Sequence, residues 1–208
     1  MKSVSYKLIE FFILFILLPV SFTLKYPPMI KLSVGFIGFI YVIYVLLKIE
    51  KSKFHIEANL NWNHFWKLTF IKFLAMACLT LVYVWFVERN NLFEIVINKP
   101  KLWLIILLVY SLLSVYPQEL VYRTFFFSRY QELFSDQKVF FFINAIVFSL
   151  GHIFFKNTLV IVLTFIGGLI FALTFHRTKS TLLVSIEHAI YGCWLFTVGM
   201  GSMLGFPS

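Results

Sequence analysis

The chain has 208 residues, of which 61% are hydrophobic and only 13% are charged, and its mean hydropathy is +0.89. A soluble domain of this length needs far fewer apolar residues for its core, and the 27 phenylalanines add to the excess. The composition therefore excludes a soluble globular protein. It predicts an all-α, polytopic integral membrane protein.

The formal net charge of +9 raises the question of nucleic acid binding. The lysines and arginines are spread along the flanks of the apolar stretches, and no soluble basic domain is present to carry them. Anionic headgroups of a lipid bilayer are the better counter-charge for cations in such places. We therefore expect the bilayer, and no nucleic acid, as a partner.

Apolar runs of about 17 to 25 residues have the length that a helix needs to cross a bilayer. The first run follows Lys2 and Lys7 and is also compatible with a signal peptide, but no small-residue cleavage site follows it, so we predict an uncleaved helix. The sequence thus predicts about seven transmembrane helices: Leu8 to Leu24, Met29 to Leu47, Leu68 to Val87, Leu102 to Phe127, Val139 to Phe155, Leu159 to Phe175 and Leu182 to Gly199.

The distribution of positive charge predicts the orientation of these helices. With the N-terminus inside, the inward-facing segments hold twelve of the 18 lysines and arginines, which favours an N-in, C-out topology. The Lys-rich and Phe-rich composition favours a bacterial inner membrane, with the endoplasmic reticulum as the alternative.

Three regions follow from the positions of the predicted helices. Residues 1–100 hold N-terminal transmembrane helices and a cytoplasmic loop at 48–67, residues 101–199 form a helical core, and residues 200–208 are a short tail. In this loop, the headgroup level suits the aromatic side chains of Trp62, Phe65 and Trp66, which an interfacial helix could carry. We interpret the loop histidines His55 and His64 as solvated or interfacial.

Polar side chains interrupt the apolar stretches at three places within residues 101–199. Ionisable groups at membrane depth are energetically expensive, so each place is a candidate functional site. On a helix, residues four apart share a face, and on this basis Glu119 pairs with Arg123, and Phe148 with His152. The candidates are Gln118, Glu119 and Arg123; Asn144, Phe148 and His152; and Glu187, His188 and Gly192.

One acid and two histidines, each group on a separate predicted helix, suggest hydrolysis. A carboxylate shielded from bulk water can take a proton from a water molecule, and an arginine can fix its orientation. Histidines can stabilise an oxyanion, or bind a metal together with the glutamate. The simpler alternatives are a structural ion pair between Glu119 and Arg123 and interhelical hydrogen bonds from His152 and His188.

The order of these groups resembles the family of CAAX prenyl protease 2 and the bacteriocin-processing (Abi, lysostaphin resistance protein A-like) intramembrane endopeptidases. The motifs of that family are commonly written EExxxR, FxxxH and HxxxN or HxxxD. The second is complete here, from Phe148 to His152. The first has Gln118 in place of its first acid, and the third has Gly192 in place of Asn or Asp. The resemblance covers about half the chain, from Leu102 to Gly199.

The resemblance implies a glutamate-type endopeptidase of a family formerly classed as metalloendopeptidases. Its members cleave the C-terminal tripeptide from prenylated proteins, or act in bacteriocin maturation, immunity or surface-protein processing. The expected substrate is a membrane-associated protein or peptide. By this resemblance Glu119 activates water, and His152 and His188 stabilise the oxyanion or shuttle protons. No cofactor is expected, although the same residue types also suit a divalent metal.

The two departures leave alternatives open. In the family the first acid usually activates water, so with Gln118 there, either Glu119 takes that role or the chain is inactive and binds peptides, as in bacteriocin immunity. Glu187 could supply the carboxylate missing at Gly192, or pair with His176 or Arg177. A third possibility is a transporter with a proton path through these residues, but no inverted repeat supports it.

Overall fold

Seven long helices account for most of the chain in the computed structural model, which describes residues 3–51 and 60–205. The described residues contain no β-strand. All seven helices are long and apolar enough to cross a membrane, which confirms the predicted all-α, seven-helix architecture. They are α1 (Val4–Ser21), α2 (Pro28–Ile49), α3 (Trp62–Val87), α4 (Pro100–Leu133), α5 (Gln137–Phe155, of which Gln137–Leu150 is α-helical), α6 (Thr158–Thr178) and α7 (Thr181–Val198).

Local sequence signals set the ends of several helices. The side chains of Asn61, Asp136 and Ser180 accept hydrogen bonds from backbone N–H groups in the first turns of α3, α5 and α7. Proline begins α2 and α4, where the missing N–H has no helical partner to lose. At the end of α7, Gly199 adopts a left-handed conformation with a φ of 107°.

The helix boundaries shift by a few residues from the sequence prediction, and the shift matters most at the predicted cytoplasmic loop. The expected loop at 48–67 is shorter, because α2 continues to Ile49 and α3 begins at Trp62. Trp62, Phe65 and Trp66 therefore lie in the first turns of α3 rather than on a separate interfacial helix, since Asn61 caps the helix there. His64 is exposed on α3, and His55 lies outside the described residues.

The outer surfaces of the helices are strongly apolar. Met29, Leu79, Phe86 and Leu113 are each more than 70% exposed, and many other leucines, isoleucines and phenylalanines are at least half exposed. Contiguous apolar surface of this extent is unfavourable in water and is the normal outer surface of a protein in lipid. The exposure pattern therefore agrees with a membrane protein, while the N-in orientation stays a prediction.

The helices divide into two compact units, and the division falls inside α4 between Pro117 and Gln118. Unit 1 consists of residues 1–54 and 118–176, and unit 2 of residues 55–117 and 177–208. The three regions predicted from the sequence, with boundaries at residues 100 and 199, do not follow these packing units, and that division stays a prediction.

An aromatic core holds unit 1 together. Phe15 of α1 is 1% exposed and packs its ring against those of Tyr122, Phe126 and Tyr130, at centroid distances of 5.6, 5.2 and 5.9 Å. Such pairs contribute about 0.5–1.5 kcal/mol each beyond the area that they bury. The abundance of phenylalanine noted in the sequence thus serves packing between α1 and the second half of α4.

A buried ionic cluster joins three helices of unit 1. Arg129 of α4 donates hydrogen bonds to the carboxylate of Glu10 on α1, with the shortest at 2.8 Å, and to Glu50 after α2 at 2.7 Å. The hydroxyl of Tyr130 donates to Glu10 at 3.3 Å. Because Glu10 contributes to this cluster, the first helix packs as an integral part of unit 1.

In unit 2, α7 packs on α3 and on the first half of α4. The indole N–H of Trp194 donates to Thr80 of α3 at 2.9 Å, and that of Trp103 on α4 donates to Thr197 at 3.1 Å. Buried indoles and hydroxyls need such partners in an apolar interior. These contacts fix α7, the helix that carries the third polar group, within unit 2.

Candidate active site

Helix α4 departs from regular α-helical geometry on both sides of its polar residues. Segments with π-helical hydrogen bonding run from Tyr110 to Val115 and from Leu120 to Phe125, with a short α-helical stretch at Tyr116–Glu119 between them. Pro117 lies in that stretch and has no N–H to donate. Single π-helical turns within α-helices are rare and are frequent at functional sites. The helix is therefore distorted on both sides of Pro117.

Glu119 and Arg123 form an ion pair that is entirely removed from the protein surface. Both side chains are 0% exposed, and Nε of Arg123 lies 3.2 Å from Oε2 of Glu119. The sequence prediction that these residues share a face is confirmed. Neighbouring Gln118 is half-buried as a residue, with its Oε1 buried, whereas Glu119 is buried completely.

Asn144 of α5 ties Arg123 to the rest of unit 1. Nη1 of Arg123 donates to Oδ1 of Asn144 at 2.6 Å and to the backbone oxygen of Tyr122 at 3.2 Å. The amide nitrogen of Asn144 donates to the same backbone oxygen at 2.7 Å. Asn144 is itself 0% exposed, and its two hydrogen bonds fix which way its amide faces. The guanidinium, and with it the carboxylate of Glu119, is thereby held in one orientation.

The aromatic residue of the second motif completes the surroundings of Arg123. The guanidinium carbon lies 4.7 Å from the ring centroid of Phe148 on α5 and 5.8 Å from that of Phe171 on α6. Both distances are within the range of a cation–π contact, which is strongest where water is absent. The structure thus brings together four of the six candidates of unit 1, which the sequence placed on two different helices: Glu119, Arg123, Asn144 and Phe148.

His152 lies just beyond the regular part of α5, which corrects the expectation that it continues the helix. The α-helix ends at Leu150, and His152 has φ and ψ of −105° and 3°. No side chain fits at Gly151 between them, because the hydroxyl of Tyr122 occupies the space where a β-carbon at Gly151 would lie. His152 still contacts Phe148, with ring centroids 4.9 Å apart. The predicted pairing of Phe148 and His152 therefore holds although the helix stops between them.

The hydrogen bond of His152 determines which ring nitrogen can take part in chemistry. Nδ1 lies 2.8 Å from the backbone oxygen of Phe148. A carbonyl oxygen only accepts, so Nδ1 carries the proton. In the neutral ring Nε2 is then the proton acceptor, and it becomes a donor only in the imidazolium form.

The third polar group lies on α7 in unit 2. His188 is 7% exposed, and its ring packs edge-on against that of Tyr110 on α4, at 6.1 Å between centroids. Glu187 is fully buried and points elsewhere: it forms an ion pair with Lys72 of α3 and accepts a hydrogen bond from Tyr191 at 2.7 Å. Glu187 is therefore engaged in holding α7 to α3.

Comparison with known families adds evidence of a different kind. Residues 100–194 match the sequence model of the family described as type II CAAX prenyl endopeptidase Rce1-like. The suspected family resemblance is confirmed. No significant match is found among curated proteins or among solved structures.

The Rce1-like segment contains every candidate residue described above. It begins at the first residue of α4 and ends within α7, so helices α1 to α3 lie outside it. At the level of the family, the match indicates an endopeptidase of CAAX type, and the seven apolar helices indicate that it is an integral membrane protein.

Sequence reasoning missed three residues around the Rce1-like motifs. Tyr110 contacts His188, Tyr122 contacts Gly151, and Lys72 pairs with Glu187. From the sequence alone, Lys72 is treated only as a cation that flanks a helix. Its position inside the apolar run of α3 was the signal that could have marked it as the partner of a buried carboxylate. Nothing in the sequence marked the two tyrosines, because their roles depend on glycines of other helices. Among the described residues, no cluster of three or more histidine, cysteine or acidic side chains has the geometry for a metal ion.

Proposed function

We propose that the chain is an intramembrane endopeptidase that hydrolyses a peptide bond of a membrane-associated protein or peptide. The observation that carries the proposal is the fully buried Glu119, held by Arg123, which is in turn held by Asn144. Burying a carboxylate and a guanidinium is costly, and a purely apolar pair of the same volume would be no worse for stability. A buried, oriented carboxylate in an Rce1-like segment is the arrangement that a general base requires.

In this proposal Glu119 activates water. It takes one proton from the water molecule while the water oxygen attacks the scissile carbonyl carbon, which gives a tetrahedral oxyanion. The C–N bond then breaks, and the proton passes to the leaving amine. Arg123 positions the carboxylate, and its backbone and amide partners prevent it from turning away.

In the proposed reaction, His152 and His188 act on the negative charge that develops on the carbonyl oxygen. His188, buried on α7, stabilises the oxyanion by donating a hydrogen bond. His152 does the same as an imidazolium, whereas its neutral form offers Nε2 as an acceptor and can relay the proton to the leaving amine. The assignment thus gives His152 two forms with different roles, selected by its protonation state.

The proposed substrate class is taken from the family that the segment matches. CAAX-type processing releases a C-terminal tripeptide from a prenylated cysteine, and a lipid-anchored substrate suits a protein whose outer surface is apolar. A leader peptide or a sorting signal of a bacterial membrane protein is compatible with the same chemistry. The residues invoked require no cofactor, and localisation in a bacterial inner membrane remains part of the proposal.

The test is cleavage of a farnesylated peptide with a C-terminal CAAX sequence by the full chain in proteoliposomes. Wild-type protein should release the tripeptide, and Glu119→Gln should lose activity by about 100-fold or more, as expected for a general base. Glu132→Gln is the matched control, because Glu132 lies on the same helix with its side chain 88% exposed. Full activity of Glu119→Gln would refute the assignment of the base.

A second candidate is a catalytically inactive relative that binds a membrane peptide, for example in bacteriocin immunity. Gln118 favours it, because an amide cannot act as a base at the position where the family has its first acid. The two candidates differ in one result: the inactive relative binds the farnesylated peptide without releasing the tripeptide.

A further inference from the structure

Gly192 lies one helical turn beyond His188 on α7, and no side chain fits there. A β-carbon built on Gly192 would overlap the hydroxyl oxygen of Tyr110 and two carbons of its ring. Tyr110 is not a flexible surface residue that could move aside, because it is only 9% exposed. Gly192 is therefore required by the tyrosine that packs on it.

The ring of Tyr110 is fixed from two further sides within unit 2. It packs edge-on against Phe196 at 4.8 Å between centroids, and edge-on against His188 at 6.1 Å. The residue begins the first π-helical segment of α4, where the helix turn is wider than in an α-helix. The same side chain thus touches the histidine and fills the space one turn along from it.

The chemistry of a phenol suits this place. Position 192 is where the motif resemblance expects Asn or Asp, a side chain able to hydrogen-bond. The hydroxyl of Tyr110 stands where that side chain would begin, and it can both donate and accept a hydrogen bond. Its aromatic ring also restricts the rotation of the His188 imidazole, since an edge-on pair has a defined geometry.

We propose that Tyr110 is a positioning residue for His188, and that its ring and hydroxyl replace the polar side chain that position 192 lacks. This inference rests on the proposed function only in assigning His188 to the reaction. The inference also explains Gly192. The glycine makes room for Tyr110, which takes over the role of the missing polar side chain, so no functional group is lost. The departure from the motif is then compensated within the chain.

The test is a set of four variants on the farnesylated CAAX peptide in proteoliposomes. Tyr110→Leu removes both ring and hydroxyl and should lower kcat about tenfold or more with little change in KM, as expected when an interaction of the transition state is lost. Tyr110→Phe keeps the ring and should fall between Tyr110→Leu and wild type. Gly192→Asn alone should also lower kcat, because the new side chain collides with Tyr110.

The double variant Tyr110→Leu, Gly192→Asn decides the matter. It removes the collision and supplies an amide at position 192, so its kcat should exceed that of both single variants by about fivefold or more, a clear departure from additivity. Tyr83→Leu is the matched control, since Tyr83 is exposed on α3 in the same unit. A double variant no better than the poorer single variant, with wild-type thermal stability, would show that Tyr110 only packs.

A second readout separates this inference from the proposed function. In protein labelled at histidine, the ring resonances of His188 should shift in Tyr110→Leu and stay near their wild-type positions in Tyr110→Phe, whether or not the protein cleaves the peptide. Wild-type protein that does not cleave refutes the proposed function. Unshifted His188 resonances in Tyr110→Leu refute the positioning role by themselves.

Discussion

Replacing Asn144 by alanine should disable the candidate base without touching it. The substitution removes the acceptor 2.6 Å from Nη1 of Arg123 and the donor 2.7 Å from the backbone oxygen of Tyr122. A hydrogen bond to a charged group is worth about 1.5–3 kcal/mol, and a neutral one about 0.5–1.5 kcal/mol. The free energy of unfolding should therefore fall by about 2–4 kcal/mol.

Part of this loss should appear as a lower rate of peptide hydrolysis, because Arg123 can then rotate and the Glu119 carboxylate paired with it loses its orientation. If about 1.4–2.8 kcal/mol of the loss falls on the transition state, kcat drops about 10- to 100-fold, with KM nearly unchanged. The assay is release of the tripeptide from the farnesylated peptide at a temperature where the variant remains folded. Asn90→Ala, at an exposed position, is the control. A folded Asn144→Ala protein with wild-type kcat would refute the view that Asn144 orients Glu119 through Arg123.

Three further predictions concern contacts away from the candidate base. Glu10→Ala leaves Arg129 with Glu50 as its one carboxylate partner among the described residues, and it should cost about 3–5 kcal/mol in unfolding free energy. Glu132→Ala, at the ion pair with Lys7 where the side chain of Glu132 is exposed, should cost under about 1 kcal/mol. Equal costs by thermal unfolding in detergent would contradict the account. Lys72→Met should destabilise the protein, because it leaves the buried Glu187 without the cation that pairs with it. Adding Glu187→Leu should restore most of the lost stability. A double variant less stable than Lys72→Met would argue against this pairing. Gly151→Ala should lower the melting temperature, because the new methyl group collides with the hydroxyl of Tyr122. Adding Tyr122→Phe should recover part of the lost melting temperature. No recovery would show that the collision with Tyr122 is not the cause of the destabilisation.

The number of helices and the polar groups in them were predictable for a simple physical reason. A helix that crosses lipid must be apolar over its whole length, so seven long runs stand out, and so do Glu119, Arg123, His152 and His188 within them. The i, i+4 relation of Glu119 and Arg123 was also local enough to read. These features need no knowledge of how helices pack.

Contacts between distant residues were not predictable in the same way. Arg129 and Glu10 are separated by 119 residues, and in the sequence each looks like an ordinary charge near the end of an apolar run. The same holds for Lys72 and Glu187, and for Tyr110, whose role depends on Gly192 of another helix. The end of the α-helical part of α5 before His152 was missed because the apolar run continues through Phe155, and the approach of Tyr122 to Gly151 was hidden because the two residues lie on different helices.

The most direct test of the central claim is mass spectrometry of the products formed from the farnesylated CAAX peptide in water enriched in oxygen-18. Our account predicts that the purified wild-type chain in proteoliposomes releases the tripeptide and places one labelled oxygen in the new carboxylate of the farnesylated cysteine, and that Glu119→Gln releases none. A wild-type protein that binds the peptide and leaves it intact, or equal release by wild type and Glu119→Gln, would contradict it.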